Sequence, residues 1–332
     1  MKRNRLLNFV GKQAAKLIIL IVVISMVAFF LVAVSPIDPV QMNTGQAAYA
    51  NMSLEKRAQL EEYWGVNTPV VEKYTNWAKD IIHGDWGTSL RFNQPVLSVI
   101  AERFTNSLLL MIVAWLFSGV FGLLLGIAAG VYRGKLVDKI IKGYALTLAS
   151  TPTFWLGLLM LMIFAVWLSW FPFGFSTPIG VSAAEATLGQ RLYHLILPAL
   201  TLSIIGVANI ALHTREKVID IMESDFYLFA LARGESRGEA LRHHCLRNLL
   251  LPAMTLQFAS ISEIFGGSVL VEQVFSYPGL GQAAVSAGIG GDAALLVAIA
   301  IISACFVFCG NLIANILYGV VDPRIRRGHG LG

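Results

Sequence analysis

Charge is what this 332-residue chain has least of: Asp, Glu, Lys and Arg make up 14% of it, against about 25% in an ordinary soluble domain. So few charges cannot coat a water-exposed globule of this length, which excludes a soluble protein. Cysteine is scarce too. Cys245, Cys305 and Cys309 are too few for a disulfide framework, and Cys305 and Cys309 stand four apart in an apolar run, where the residue serves as a small hydrophobe. The phosphate-cradling pattern GxxxxGK[ST] is missing. Gly134-Lys135 is followed by Leu136 and has Ala129 where the first glycine belongs, so any ATP hydrolysis must fall to a separate chain. A metal site is not expected either: His243, His244 and Cys245 are neighbours that would point about 100° apart on a helix, and no second cluster completes a four-ligand set. No paired carboxylates and no nucleophile with a base stand within the apolar runs, which excludes an intramembrane enzyme.

What the chain has instead is hydrophobicity, 56% of its residues. The class is an all-α polytopic membrane protein. Its formal charge of +5 is then read by the side on which basic residues lie rather than as a nucleic-acid signal. Lys2, Arg3, Arg5, Lys12 and Lys16 precede a first span from Leu17 to Val34, ended by Pro36 and Pro39; the run is too long for a signal-peptide core and no small-residue cleavage site follows it. Residues 1–35 thus form a cytoplasmic N-terminus and first span. Residues 36–105 read as an extracytoplasmic excursion with helices over Ser53–Trp64 and Val70–His83, the second amphipathic and stopped by Gly84.

Five further spans follow within 106–321. The second, Asn106–Val131, aligns Gly122, Gly126 and Gly130 four apart, the spacing that lets another helix approach closely. Arg133, Lys135, Lys139 and Lys142 place the next loop in the cytoplasm. The third span, Tyr144–Trp170, is interrupted by Pro152. Ser150, Thr151 and Thr153 beside it either satisfy the carbonyls that proline frees or line a pathway. Trp167 and Trp170 read as an interfacial belt. The fourth span is Leu195–Leu212, with Arg215 and Lys217 at its cytoplasmic end; the fifth runs from Leu249 to Val271 and the sixth from Ala293 to Val321, before a basic tail at 322–332. Six spans with both termini in the cytoplasm is the expected architecture.

The segment Asp225–Pro252, in a cytoplasmic loop over 215–248, is the most specific. An apolar stripe (Val218, Met222, Phe226, Phe229) runs into Ala230 and breaks at Gly234. Ser236 and Glu239 then form a capping box that opens a second, short helix ending near Cys245 to Asn248. Within the fifth span, Glu263 is an ionisable group at a depth where such groups face an interior or a watery cavity. Asn311 and Asn315 on the sixth either line the path or link helices by hydrogen bonds, and Glu272 reads as a structural anchor for the loop Ser276–Gly281.

These residues carry a resemblance. The stretch through Ala230, Gly234 and Leu251-Pro252 is similar to the EAA loop of permease subunits of bacterial ABC importers, in the form found in dipeptide, oligopeptide and nickel permeases. HGDWGTS (83–89), STPTFWLGLL (150–159), LILPALTL (195–202), VEQVFSYPGLG (271–281) and DPRIR (322–326) agree in order. One departure is Leu228, where the loop's namesake glutamate would stand. The resemblance implies a type I ABC importer permease fold in a bacterial or archaeal inner membrane. It also implies a second homologous permease, two cytoplasmic ATPases that hold ATP and Mg, and an extracytoplasmic substrate-binding protein. Coupling to the ATPase would rest on Ala230, Gly234, Glu235, Ser236, Glu239, Ala240, Leu241 and Arg242. The substrate path would involve Glu263, Ser150, Thr151 and Asn311. No cofactor or metal is implied for this chain. The cargo reads as di- or oligopeptides, with nickel or a metal chelate as the alternative. A stand-alone secondary transporter would need a denser set of intramembrane ion-coupling residues than Glu263 supplies.

Overall fold

A computed structural model describes residues 2–35, 38–63 and 68–321. The chain runs α1 (Lys2–Val34), α2 (Pro39–Thr44), α3 (Gln46–Ala50), α4 (Leu54–Tyr63), α5 (Val70–Ile82), the strands β1 (Thr88–Ser89) and β2 (Gln94–Pro95), then α6 (Val96–Val131), α7 (Leu136–Ala149) and α8 (Thr153–Met160). A π-helical turn, Leu161–Trp167, follows α8. Next come α9 (Leu188–Met222), α10 (Asp225–Ala232), α11 (Arg237–Ala240), a second π turn Leu241–Cys245, α12 (Leu246–Ala259), α13 (Ile261–Val274), α14 (Leu280–Ile289) and α15 (Ala293–Val321). The chain divides into two compact units, residues 1–106 with 279–308, and residues 107–278 with 309–332.

In the first unit α1 packs against Tyr74 and Trp77 of α5. The Ser25 hydroxyl meets the Tyr74 hydroxyl at 2.9 Å, and the Phe29 ring contacts Tyr74 edge-on and Trp77 at 5.3 Å. Gly84 ends α5 as expected: at φ +88 its N–H donates to Ile81 O while that of Asp85 reaches back to Asp80 O, a Schellman closure. Asp292 is fully buried and pins the β1–β2 hairpin to α15, accepting from the Ser89 hydroxyl at 2.6 Å and from the Arg91 and Leu295 amides. Val96, Ile100, Leu280, Leu295 and Ile299 form the core around it.

In the second unit the glycine line of α6 does what its spacing predicts. A Cβ added at Gly122, Gly126 or Gly130 would sit 2.7, 2.5 or 2.5 Å from the Cβ of Ile210, Thr214 or Val218, themselves four apart on α9. The α9 side chains of Ile210, Thr214 and Val218 rest directly on the bare α6 backbone, and packing contacts take the place of a hydrophobic drive that lipid cannot supply. α9 begins with a Thr187–Gln190 capping box, and α7, α8, α12 and α13 all pack on it.

Several elements differ from the sequence expectation. The second span starts at Val96 rather than Asn106, and α9 extends past Leu212 to Met222. The third expected span is two helices bent by 113°, and the fifth is two bent by 50° at Ser260. Among the described residues, four helices are long and apolar enough to cross a membrane, up to six when each bent pair counts as one span. Pro152 explains the sharper bend, because it disfavours helical backbone at Thr151. The hydroxyls of Ser150 and Thr151 donate to Leu146 O at 3.1 Å and Thr147 O at 2.8 Å, satisfying carbonyls at the helix end. Pro36, Trp64 and the 322–326 motif lie outside the described residues.

Candidate functional site

The segment that follows α9 is built by two caps in series. α10 ends at Arg233, and Gly234 turns the chain at φ +92, with its own N–H donating to Leu231 O and that of Glu235 to Ala230 O. Ser236 then opens α11: its hydroxyl accepts from the Glu239 amide at 3.3 Å, and its amide donates to Glu239 Oε2 at 2.9 Å. The Ser236 hydroxyl, and then its amide, hold the Glu239 carboxyl below the usual range. A depressed carboxylate adds stability that is present above its ordinary pKa and is lost only as pH falls through the lowered one. The box is therefore closed at neutral pH.

Side chains around the caps divide into two sets. Ala230 and Ala240 are buried with Tyr227, Val218, Ile221 and Leu249, and Leu241 packs half-buried against them. Phe229, Arg233, Ser236, Arg237, Glu239 and Arg242 face outward, with Glu235 half-buried. The expected stripe is interrupted at Glu223 and Ser224, between α9 and α10, so Phe226 and Phe229 are exposed while Tyr227 and Ala230 take the buried face. The short helix also does not stop near Cys245 to Asn248. It passes through the π turn into α12, so α11 and α12 form one continuous helical path. The side chains of His244, Cys245, Arg247 and Pro252 lie outside the described residues. Gly234→Val is expected to cost about 1–2 kcal/mol, because an L-residue there is forced into left-handed backbone. Open space surrounds a Cβ at this position. The loss would thus come from the turn alone, and transport should fall with no fall in membrane insertion, read by immunoblot beside uptake.

Glu263 occupies the first turn of α13, just past the 50° bend, and is exposed on this chain with no ion pair among the described residues. Beside it the Ser262 hydroxyl donates to Asn311 Oδ1 at 2.8 Å, tying α13 to α15. Asn311 therefore links helices, and Ser262 does not serve the Glu263 carboxylate. Ser150 and Thr151 are engaged with their own helix, and Asn315 is exposed. Glu272 is fully buried, its carboxylate accepting from the Ser107 hydroxyl at 2.5 Å and its carbonyl from the Tyr277 amide. The loop after it is fixed further by Phe275 O, which accepts from the Phe175 amide at 3.0 Å.

One feature escaped the sequence reading. Asp138, in the first turn of α7, is buried and accepts from Arg215 on α9 through Nε at 2.5 Å and Nη2 at 2.9 Å, and from the Gly134 amide at 2.8 Å. Arg133 pairs with Glu223 at the end of α9. In the sequence these residues count only as loop charges. The available signal was an arginine inside a helix whose register, set by the glycine line, places Thr214 and Val218 against α6.

Comparison with known proteins agrees with this architecture. Residues 122–327 match the family described as binding-protein-dependent transport system inner membrane component, and residues 6–111 match the N-terminal region of such membrane components. The chain belongs to this family. The permease is also 36% identical over 310 residues to the oligopeptide transport system permease protein AppB of Bacillus subtilis, covering 91% of this chain and 94% of that one. It is 30% identical over 321 residues to the glutathione transport system permease protein GsiC of Escherichia coli K12, covering 97% and 99%. As an inner membrane component, the permease is a multi-pass membrane protein that works with a substrate-binding protein and an ATPase. The glycine line, both bent pairs and the doubly capped loop all fall within the first matched segment.

Proposed function

We propose that this permease is one half of the membrane pore of an ATP-driven importer of di- or oligopeptides. It crosses the membrane six times with both termini in the cytoplasm and pairs with a homologous permease, and one of the assembly's two ATPases docks on the loop 215–248. The observation that carries the reading is the pre-formed, doubly capped turn from Ala230 to Ala240. A lever must keep its shape under load, and this one is rigid at both ends and continuous with α12. Its exposed Phe229, Arg233, Arg237 and Arg242 offer an apolar and cationic face to a partner groove, while Ala230, Ala240 and Leu241 hold that face on the body of the chain. The subunit itself performs no chemistry.

Peptide cargo rests on the likeness to an oligopeptide permease and on Glu263, a carboxylate suited to a peptide's ammonium terminus. Removing its charge should cost about 1.5–3 kcal/mol of substrate interaction. Glu263→Gln is thus expected to raise KM for peptide about tenfold or more, with ATPase coupling intact. Unchanged peptide kinetics in that variant would remove Glu263 from the path. Docking is tested by a cysteine at Arg237: disulfide capture of the ATPase, with no capture from an exposed control such as Leu188, is the expected result.

A further inference from the structure

We infer that the first unit binds an anionic phospholipid at the far end of α1, the lipid phosphate held by Lys73 and the indole N–H of Trp77, its acyl chains running back along α1. A cavity of about 450 Å³ lies there, its α1 wall formed by Phe29, Val32 and Ala33 and its α5 wall by Lys73 and Trp77. Depth points to a headgroup. The apolar run of α1, Leu17 to Val34, rises about 1.5 Å per residue and so comes close to the thickness of a hydrocarbon layer of about 30 Å, which places the edge of that layer at the last turn of α1. The cavity therefore sits at the level where hydrocarbon gives way to phosphate. Below it, Ile18, Val27, Phe30 and Leu31 are exposed on α1 and suited to acyl chains.

The polar wall favours an anion. Trp77 Nε1 is buried with no hydrogen-bond partner among the described residues, a donor waiting for an acceptor. Tilted ring contacts with Phe29 at 5.3 Å and Tyr74 at 5.9 Å hold the indole that carries that N–H. Lys73 supplies the positive charge on the lining, and burial lowers its pKa, as for an ammonium partly withdrawn from water. Asp292 also lines the cavity, but both of its carboxylate oxygens already accept, from Ser89, Arg91 and Leu295, so it is not free to select a cationic headgroup. An indole N–H and an ammonium beside an apolar trough match a phosphodiester with tails.

The test is native mass spectrometry of the full-length protein, released from micelles holding equal amounts of phosphatidylglycerol and phosphatidylcholine. Expected is retention of phosphatidylglycerol over phosphatidylcholine by about fivefold, the gain that one lysine gives at an anionic surface. Trp77→Phe, which keeps an aromatic ring against Phe29 and Tyr74, and Lys73→Gln, on a half-buried helix position, should each bring the two lipids toward parity. Glycerol phosphate at millimolar concentration should not displace the lipid. Equal retention of both lipids by the unaltered protein, an undiminished preference in both variants, or displacement by glycerol phosphate would each overturn the assignment.

Discussion

Alanine at Gly126 is expected to destabilise the permease severely, whereas alanine at Gly143 leaves it unharmed or slightly stabilised. Both are glycines within helices, where intrinsic propensity alone favours alanine by about 1 kcal/mol. Their surroundings reverse the sign. The new methyl at 126 would lie 2.5 Å from Thr214 Cβ and 2.7 Å from Ala211 O, a backbone atom that moves only if α9 moves; at 143 nothing lies within 4 Å. Overpacking of this kind costs about 1–3 kcal/mol where side chains can shift, and contact with backbone places Gly126→Ala at the upper end. Melting of the purified protein, beside its yield in membranes, reads the effect. Thr214→Gly should recover part of the loss, because it removes the Cβ that collides. A Gly126→Ala protein that melts like the parent would mean that α6 and α9 do not meet along this line.

Replacing Arg215 by methionine should have a comparable effect for an electrostatic reason. Asp138 would keep the Gly134 amide but lose both guanidinium bonds while remaining buried. Stranding one member of a buried pair costs about 3–5 kcal/mol, whereas replacing both by apolar residues is often neutral. Arg215→Met alone is therefore expected to lower stability sharply, and Arg215→Met with Asp138→Leu to regain most of it. The functional prediction separates from the stability one. The pair joins the start of α7 to α9 where the loop 215–248 begins, so the double variant should fold yet couple ATP hydrolysis to uptake less tightly.

How much of this was legible in the sequence differs by feature, for physical reasons. The glycine line and the Ser236–Glu239 box could be read because each depends on spacing along one helix, and the structure places both where the spacing put them. The Gly234 and Gly84 turns were legible because φ above zero selects glycine. Span boundaries were less so: hydropathy marks where a helix is apolar, not where it ends, and α6 and α9 continue as helix beyond their apolar stretches. The 113° bend at Pro152 was under-read as a kink within one span, since a proline marks a break but not its angle. The stripe through Phe226 failed because an interruption at Glu223 and Ser224 shifts the helical phase, which periodicity cannot show. The Asp138–Arg215 pair was invisible because its members stand 77 residues apart and only tertiary packing joins them. Ala240 shows the same limit, its size fitting a docking face or a buried seam equally well until its neighbours are known.

The most direct measurement is uptake into proteoliposomes that contain this permease with its partner permease and ATPases, given the binding protein outside and a labelled tripeptide, with ATP enclosed or omitted. Expected is saturable peptide uptake that requires internal ATP and the binding protein and is abolished by a catalytically dead ATPase. Peptide uptake that continues without ATP, or nickel uptake with none of peptide, would contradict the proposed function.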